Sequence, residues 1–153
     1  IPLQDCIGRA WLIPLDDLPP RTPIRVSHLE QYVDAICPGD AVILRTLWSR
    51  HVDHPDHYRD QFPPISAELA RWLVGREVRL IGVEPPSVAD VNDLPAVTEI
   101  HEILLSAGII IVEGLCGLEQ LTPGPFVFGA MPLKIAGGDG APCRAFAIEG
   151  ALP

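Results

Sequence analysis

A chain of 153 residues, 48% of them hydrophobic and with a mean hydropathy of +0.25, can bury one core of ordinary size, and a single domain over residues 1–153 is predicted. A net charge of -9 and a pI of about 4.8 exclude a basic face for nucleic-acid phosphates and disfavour an anionic membrane surface. No apolar run approaches the length of a membrane span and no signal-like segment opens the chain, so a soluble, cytoplasmic protein is expected. Cys6, Cys37, Cys116 and Cys143 are scattered without close pairing, which reads as reduced thiols.

Residues 9–15 read as a strand closed by the prolines that follow. Ser27 with Glu30 three positions on is a capping box, predicting a helix with Leu29, Tyr32, Val33 and Ile36 inward. Residues 41–47 are almost continuously apolar, as expected of a central strand covered on both faces. Residues 48–64 are polar and interrupted by proline, which predicts a long excursion loop, ordered as a lid by Trp48, Tyr58 and Phe62. Ser66 opens the next helix and Gly75 stops it, with Leu69, Trp72 and Leu73 facing inward, and residues 78–83 form a third strand. A polar connection then leads into a helix over 97–107, stopped by Gly108, and a buried strand over 109–112 that ends at Glu113. Residues 126–135 and 143–148 read as two strands joined by the glycine-rich stretch between them. Strand and helix alternate before strands take over, so the fold class is α/β with a mixed sheet.

His101 and Glu113 are the leading candidates for chemistry. An acid directly after four aliphatic residues sits at the carboxyl end of a strand, where open α/β sheets bind ligands, and a buried carboxylate needs a partner. A metal is one candidate. The plainer alternatives are that Ser106 or a backbone carbonyl satisfies the histidine and Arg144 pairs the glutamate. The His51, His54 and His57 loop has metal-ligand chemistry, but no helix sets the spacing, so a solvated loop is the better reading. His28 reads as a surface residue. The stretch Gly137-Gly138-Asp139-Gly140 lies between strands, not before a helix, so a hairpin is expected and not a phosphate loop. No Gly-x-Ser-x-Gly elbow is present, and nucleophilic catalysis by Ser or Cys has no support.

Several ordered motifs together resemble the putative cyclase family, the metal-dependent hydrolases that include bacterial kynurenine formamidase and isatin hydrolase. Gly39-Asp40-Ala41-Val42-Ile43-Leu44-Arg45-Thr46 is similar to its Gly-Asp strand ending in Arg-Thr, and residues 48–66, with Phe62-Pro63, to its substrate-side loop. Gly82-Val83-Glu84-Pro85-Pro86-Ser87 resembles Gly-Ile-Asp-Thr-Pro-Ser, with Glu84 in place of Asp and Pro85 in place of Thr. His101-Glu102-Ile103-Leu104-Leu105 through Val112-Glu113 is similar to the His-x-x-Leu-Leu to Val-Glu signature. Met131-Pro132-Leu133-Lys134 and Gly138-Asp139-Gly140-Ala141-Pro142-Cys143-Arg144 resemble the elements near the family's C-terminus.

The resemblance implies a swivelling β/β/α fold, zinc or manganese, and metal-ligand roles for His101 and Glu113. It also implies a small-molecule substrate whose amide or formyl carbonyl is attacked by metal-activated water, and a homo-oligomer. Trp48 and Phe62 are the expected aromatic substrate wall, with Ser87 a further substrate contact. The family's His-x-Gly-Thr-His-x-Asp motif, which supplies most metal ligands, does not occur here, and the chain opens on Ile1, not Met. The expectation is therefore a C-terminal portion that needs an N-terminal fragment or companion chain carrying the remaining ligands. The competing expectation is a catalytically inactive binding or oligomerisation module derived from the family.

Overall fold

The computed structural model describes residues 1–150. After a 3-10 turn at Leu3–Cys6, the chain forms β1 (Ile7–Pro14), β2 (Ala41–Arg45), α1 (Pro55–Asp60), α2 (Ala67–Gly75), β3 (Leu80–Val83), α3 (Leu94–Ser106), β4 (Ile110–Val112), β5 (Gly124–Pro132) and β6 (Cys143–Ile148). The six strands make one sheet in the order β4-β3-β2-β1-β5-β6. The strands from β1 to β4 run parallel, β5 is antiparallel to β1, and β6 is antiparallel to β5. This is the mixed α/β sheet that the alternation of segments predicts. No helix among the described residues is long and apolar enough to cross a membrane.

The near-continuous apolar run in β2 has the expected cause. All five of its residues are buried, because Val42 and Leu44 pack into the core beneath α2 and α3 while Ala41 and Ile43 pack into a second core on the opposite face. That second core is closed by Phe126 and Phe128 from β5 and by Leu115 and Leu118 after β4. The sheet curls around it, so that β4 and the β5–β6 connection line one cavity.

Three local readings need correction. The helix expected after Ser27 is a 3-10 stretch, Val26–Tyr32, and its first turn is held by the His28 ring, whose Nδ1 accepts from the Arg25 N–H at 3.0 Å. The histidine displaces serine as the local cap, so His28 is more than a surface residue. The excursion at 48–64 contains a 3-10 turn, Trp48–His51, and the helix α1, because Pro55 occupies the first helical turn, where its missing N–H costs nothing. The helix carrying His101 begins at Leu94, three residues before the expected start, with the Asp93 side chain accepting from the Ala96 N–H. Strand ends also shift: β2 stops at Arg45 because Leu47 is left-handed (φ 58°), and β5 stops at Pro132.

Candidate functional site

The α3–β4 turn creates the site. Gly108 takes φ +78°, the left-handed conformation that glycine adopts without a Cβ penalty, and the Ile109 N–H returns to the Leu104 carbonyl. The chain reverses there and β4 runs back along α3, which brings Glu113, the residue after β4, to the ring of His101. The His101 Nε2 lies 3.7 Å from Glu113 Oε1, with both side chains about a third exposed (29% and 32%).

Each partner is oriented from behind. His101 Nδ1 lies 2.8 Å from the Val97 carbonyl, one helical turn back. A carbonyl only accepts, so Nδ1 carries a proton, and Nε2 is the nitrogen that faces Glu113. Tying one imidazole nitrogen to fix the other is the usual support of a metal-ligating histidine. The Glu113 Oε1 accepts from the Val88 N–H at 2.9 Å. Burial pushes the Glu113 carboxyl above the usual carboxylate range, although the Val88 N–H, the His101 charge and the Ser87 hydroxyl each pull it down. At 3.7 Å the two side chains are too far apart for a good hydrogen bond to each other. A backbone carbonyl does satisfy one side of the histidine, as the plainer reading allowed, but Arg144 is not the partner of Glu113.

A cavity of about 790 Å³ opens beside this pair, lined by His101, Leu105, Ile111 and Glu113 on one side and by Pro132 and Asp139 on the other. Ser87 lies with the pair: it is buried, its Oγ accepts from the Ala89 N–H, and its hydroxyl supports the Glu113 carboxylate. Trp48 and Phe62 are both buried, and neither lines the cavity. The Trp48 indole N–H donates to the Tyr58 carbonyl at 2.8 Å, and its ring stacks on His57 and lies tilted against His51. His51 and His57 meet edge to face at 4.7 Å, and burial followed by the neighbouring His57 and His54 lowers the His51 pKa. Among the described residues, no three His, Cys, Asp or Glu side chains converge to hold a metal ion. His101 and Glu113 fit as two donors of such a site, one nitrogen and one oxygen.

Glu84 carries the same sequence signal as Glu113 but lies outside the site residues that the sequence predicts. It follows the aliphatic strand Leu-Ile-Gly-Val as Glu113 follows Ile-Ile-Val. It is wholly buried at the carboxyl end of β3, and its Oε2 accepts from the Thr46 N–H at 2.7 Å while its Oε1 accepts from the Ser49 hydroxyl at 2.7 Å.

A family profile described as Putative cyclase matches residues 1–90. The chain is 35% identical over 147 residues to a kynurenine formamidase of Salinibacter ruber (strain DSM 13855 / M31), an alignment covering 95% of this chain and 64% of that protein. Among solved structures, it superposes on a potential metal-dependent hydrolase with cyclase activity at a TM-score of 0.77 and 28% identity, covering 96% of this chain and 67% of that one. It also superposes on isatin hydrolase A from Ralstonia solanacearum at a TM-score of 0.83 and 26% identity, covering 96% and 62%. The chain spans less than two thirds of the length of the curated relatives that it matches first.

Proposed function

The chain belongs to the Putative cyclase family, and on that premise we propose that it is part of a metal-dependent hydrolase acting on an amide, formamide or related carbon–nitrogen bond. The observation that carries this reading is the His101–Glu113 pair, with Nδ1 tied to the Val97 carbonyl and Nε2 facing the carboxylate beside a cavity large enough for a small molecule. His101 and Glu113 would each donate one ligand to a divalent ion, zinc or manganese. When bound, that ion supplies the Lewis acidity that activates water towards a carbonyl. The Val97 carbonyl holds the imidazole with Nε2 towards Glu113, and the Val88 N–H fixes the Oε1 oxygen that faces it.

Two donors are fewer than the three protein ligands that catalytic zinc sites usually hold. The remaining ligands are therefore proposed to come from an N-terminal segment or companion chain, and a homo-oligomer belongs to the same proposal. Support for the activity comes from relatives that carry kynurenine formamidase and isatin hydrolase names. The inactive-module reading is not favoured, since both donors and their backbone supports are intact.

The test is elemental analysis and calorimetric titration of the purified chain with Zn²⁺ and Mn²⁺, alone and with a family N-terminal segment, followed by assay on N-formylated arylamines. Metal binding that is weakened in both His101→Ala and Glu113→Gln, with turnover only in the reconstituted pair, is the expected result. Binding unchanged in both variants would overturn the ligand assignment.

A further inference from the structure

Glu84 is the one wholly buried carboxylate among the described residues, and none of the ion pairs among them includes it. Neutral donors hold it instead. Its Oε2 accepts from the Thr46 N–H at 2.7 Å, the Thr46 hydroxyl at 3.3 Å and the Trp48 N–H at 3.3 Å, and its Oε1 accepts from the Ser49 hydroxyl at 2.7 Å. Leu47, between the two amides, is left-handed (φ 58°, ψ 19°), an uncommon conformation for a residue with a Cβ. That turn aims the N–H groups on either side of it at one oxygen, forming a backbone anion cradle that the Glu84 side chain fills. The strain at Leu47 is held in place by the carboxylate.

The same residue is tied on its main chain. Its carbonyl accepts from the Tyr58 hydroxyl at 2.7 Å, and the Tyr58 carbonyl accepts from the Trp48 indole. A closed circuit of hydrogen bonds thus joins β3 to the 3-10 turn Trp48–His51 and to α1. Just downstream of Glu84, the Pro85 carbonyl accepts from the Gly114 N–H and the Val88 N–H reaches Glu113. A β-carbon at Gly114 would lie 4.0 Å from the Tyr58 hydroxyl.

We propose that Glu84 is a positioning residue of the His101–Glu113 site. Its carboxylate locks residues 46–58 over the carboxyl ends of β2 and β3, and residues 85–88 transmit that lock to the Glu113 carboxylate. The functional part of this inference rests on the metal-site reading above; the lock itself does not.

The experiment is residue-resolved hydrogen exchange on the full chain, with a Zn²⁺ titration of the same samples mixed with a family N-terminal segment. Glu84→Gln keeps an accepting oxygen towards Thr46 and Trp48, whereas Glu84→Met keeps the length and removes every acceptor. Glu84→Met is expected to raise exchange at the Thr46, Trp48 and Val88 amides by roughly tenfold or more, with β1 and α2 unchanged, and Glu84→Gln to restore protection. Zn²⁺ affinity should fall in Glu84→Met and return in Glu84→Gln. Ser49→Ala removes one donor without entering the core; it is expected to raise exchange at Trp48 by several-fold and serves if Glu84→Met does not fold. Unchanged exchange at Thr46, Trp48 and Val88, or a uniform rise across β1 and α2, would overturn the proposal. If the wild-type chain takes up no Zn²⁺ even with the N-terminal segment present but the exchange pattern appears, the lock stands and the metal-site reading fails.

Discussion

Gly82 on β3 and Ile43 on β2 face each other across the ladder with no room for a side chain at the glycine: a β-carbon there would lie 2.6 Å from Ile43 Cδ1 and 2.8 Å from Leu115 Cδ1. Leu115 belongs to the turn that carries Glu113, and its N–H is bonded to the Val83 carbonyl. The missing side chain lets that turn settle onto the sheet. Gly82→Ala is expected to lift Leu115 and cost about 1–3 kcal/mol, the usual range for overpacking a tight core. Urea unfolding measures the cost. A midpoint unchanged from wild type would mean that Ile43 and Leu115 move aside freely.

Glu113 makes stability depend on pH in a direction that can be worked out. Burial raises its pKa above the unfolded value, so between those two values the folded chain holds more proton than the unfolded chain. Stability from this group is therefore greatest at low pH and is lost as pH rises from the ordinary carboxylate value through the raised one. Glu113→Gln keeps an acceptor for Val88 and removes the titration. Its unfolding free energy should fall less between pH 4 and pH 7 than that of the wild type, and at pH 7 it should be the more stable of the two. A wild-type and variant pair with the same slope would show that Glu113 does not titrate across folding.

Asp16 and Arg45 form the best-aligned ion pair among the described residues. Both guanidinium contacts to the carboxylate are 2.8 Å long, and Arg45 also donates to the Leu121 carbonyl. The Arg45 side chain is only 11% exposed, so it depends on this partner more than a surface arginine would. Asp16→Ala is expected to cost about 1.5–3 kcal/mol, the range for hydrogen bonds to charged groups. Thermal melts in low and high salt check this, and the cost should shrink only slightly in high salt because the pair is half-buried.

How much of this was legible follows from where each signal lies. A strand buried on both faces leaves an unbroken apolar run, so β2 could be read directly, and the serine cap of α2 functions as read, with the Ser66 Oγ accepting from the Leu69 N–H. Glu113 was legible because a carboxylate after an aliphatic strand has few structural excuses. Glu84 carried the same signal, but the two prolines after it drew the reading towards an exit from the sheet. The helix α1 was hidden because proline reads as a breaker unless its place in the first turn is known. Trp48 and Phe62 lie in a polar stretch that reads as a lid, yet both are buried away from the cavity. Composition gives the polarity of a segment and not the direction in which its few aromatic residues point.

The orientation of His101 depends on a helix that begins with Asp93. The Asp93 side chain accepts from the Ala96 N–H at 3.1 Å, and its carbonyl accepts from the Val97 N–H. The Val97 carbonyl then holds His101 Nδ1. Removing the cap frees the first turn, which contains the residue whose carbonyl orients the imidazole. Asp93→Ala is expected to cost about 1 kcal/mol, the typical value for losing a helix cap. Exchange at residues 96–98 should rise more than exchange at Leu104, deeper in the same helix. Asp93→Ser, which also caps, should recover most of the loss. If Asp93→Ala leaves exchange at residues 96–98 unchanged, the first turn of α3 is held by its packing alone, and the cap has no part in orienting His101.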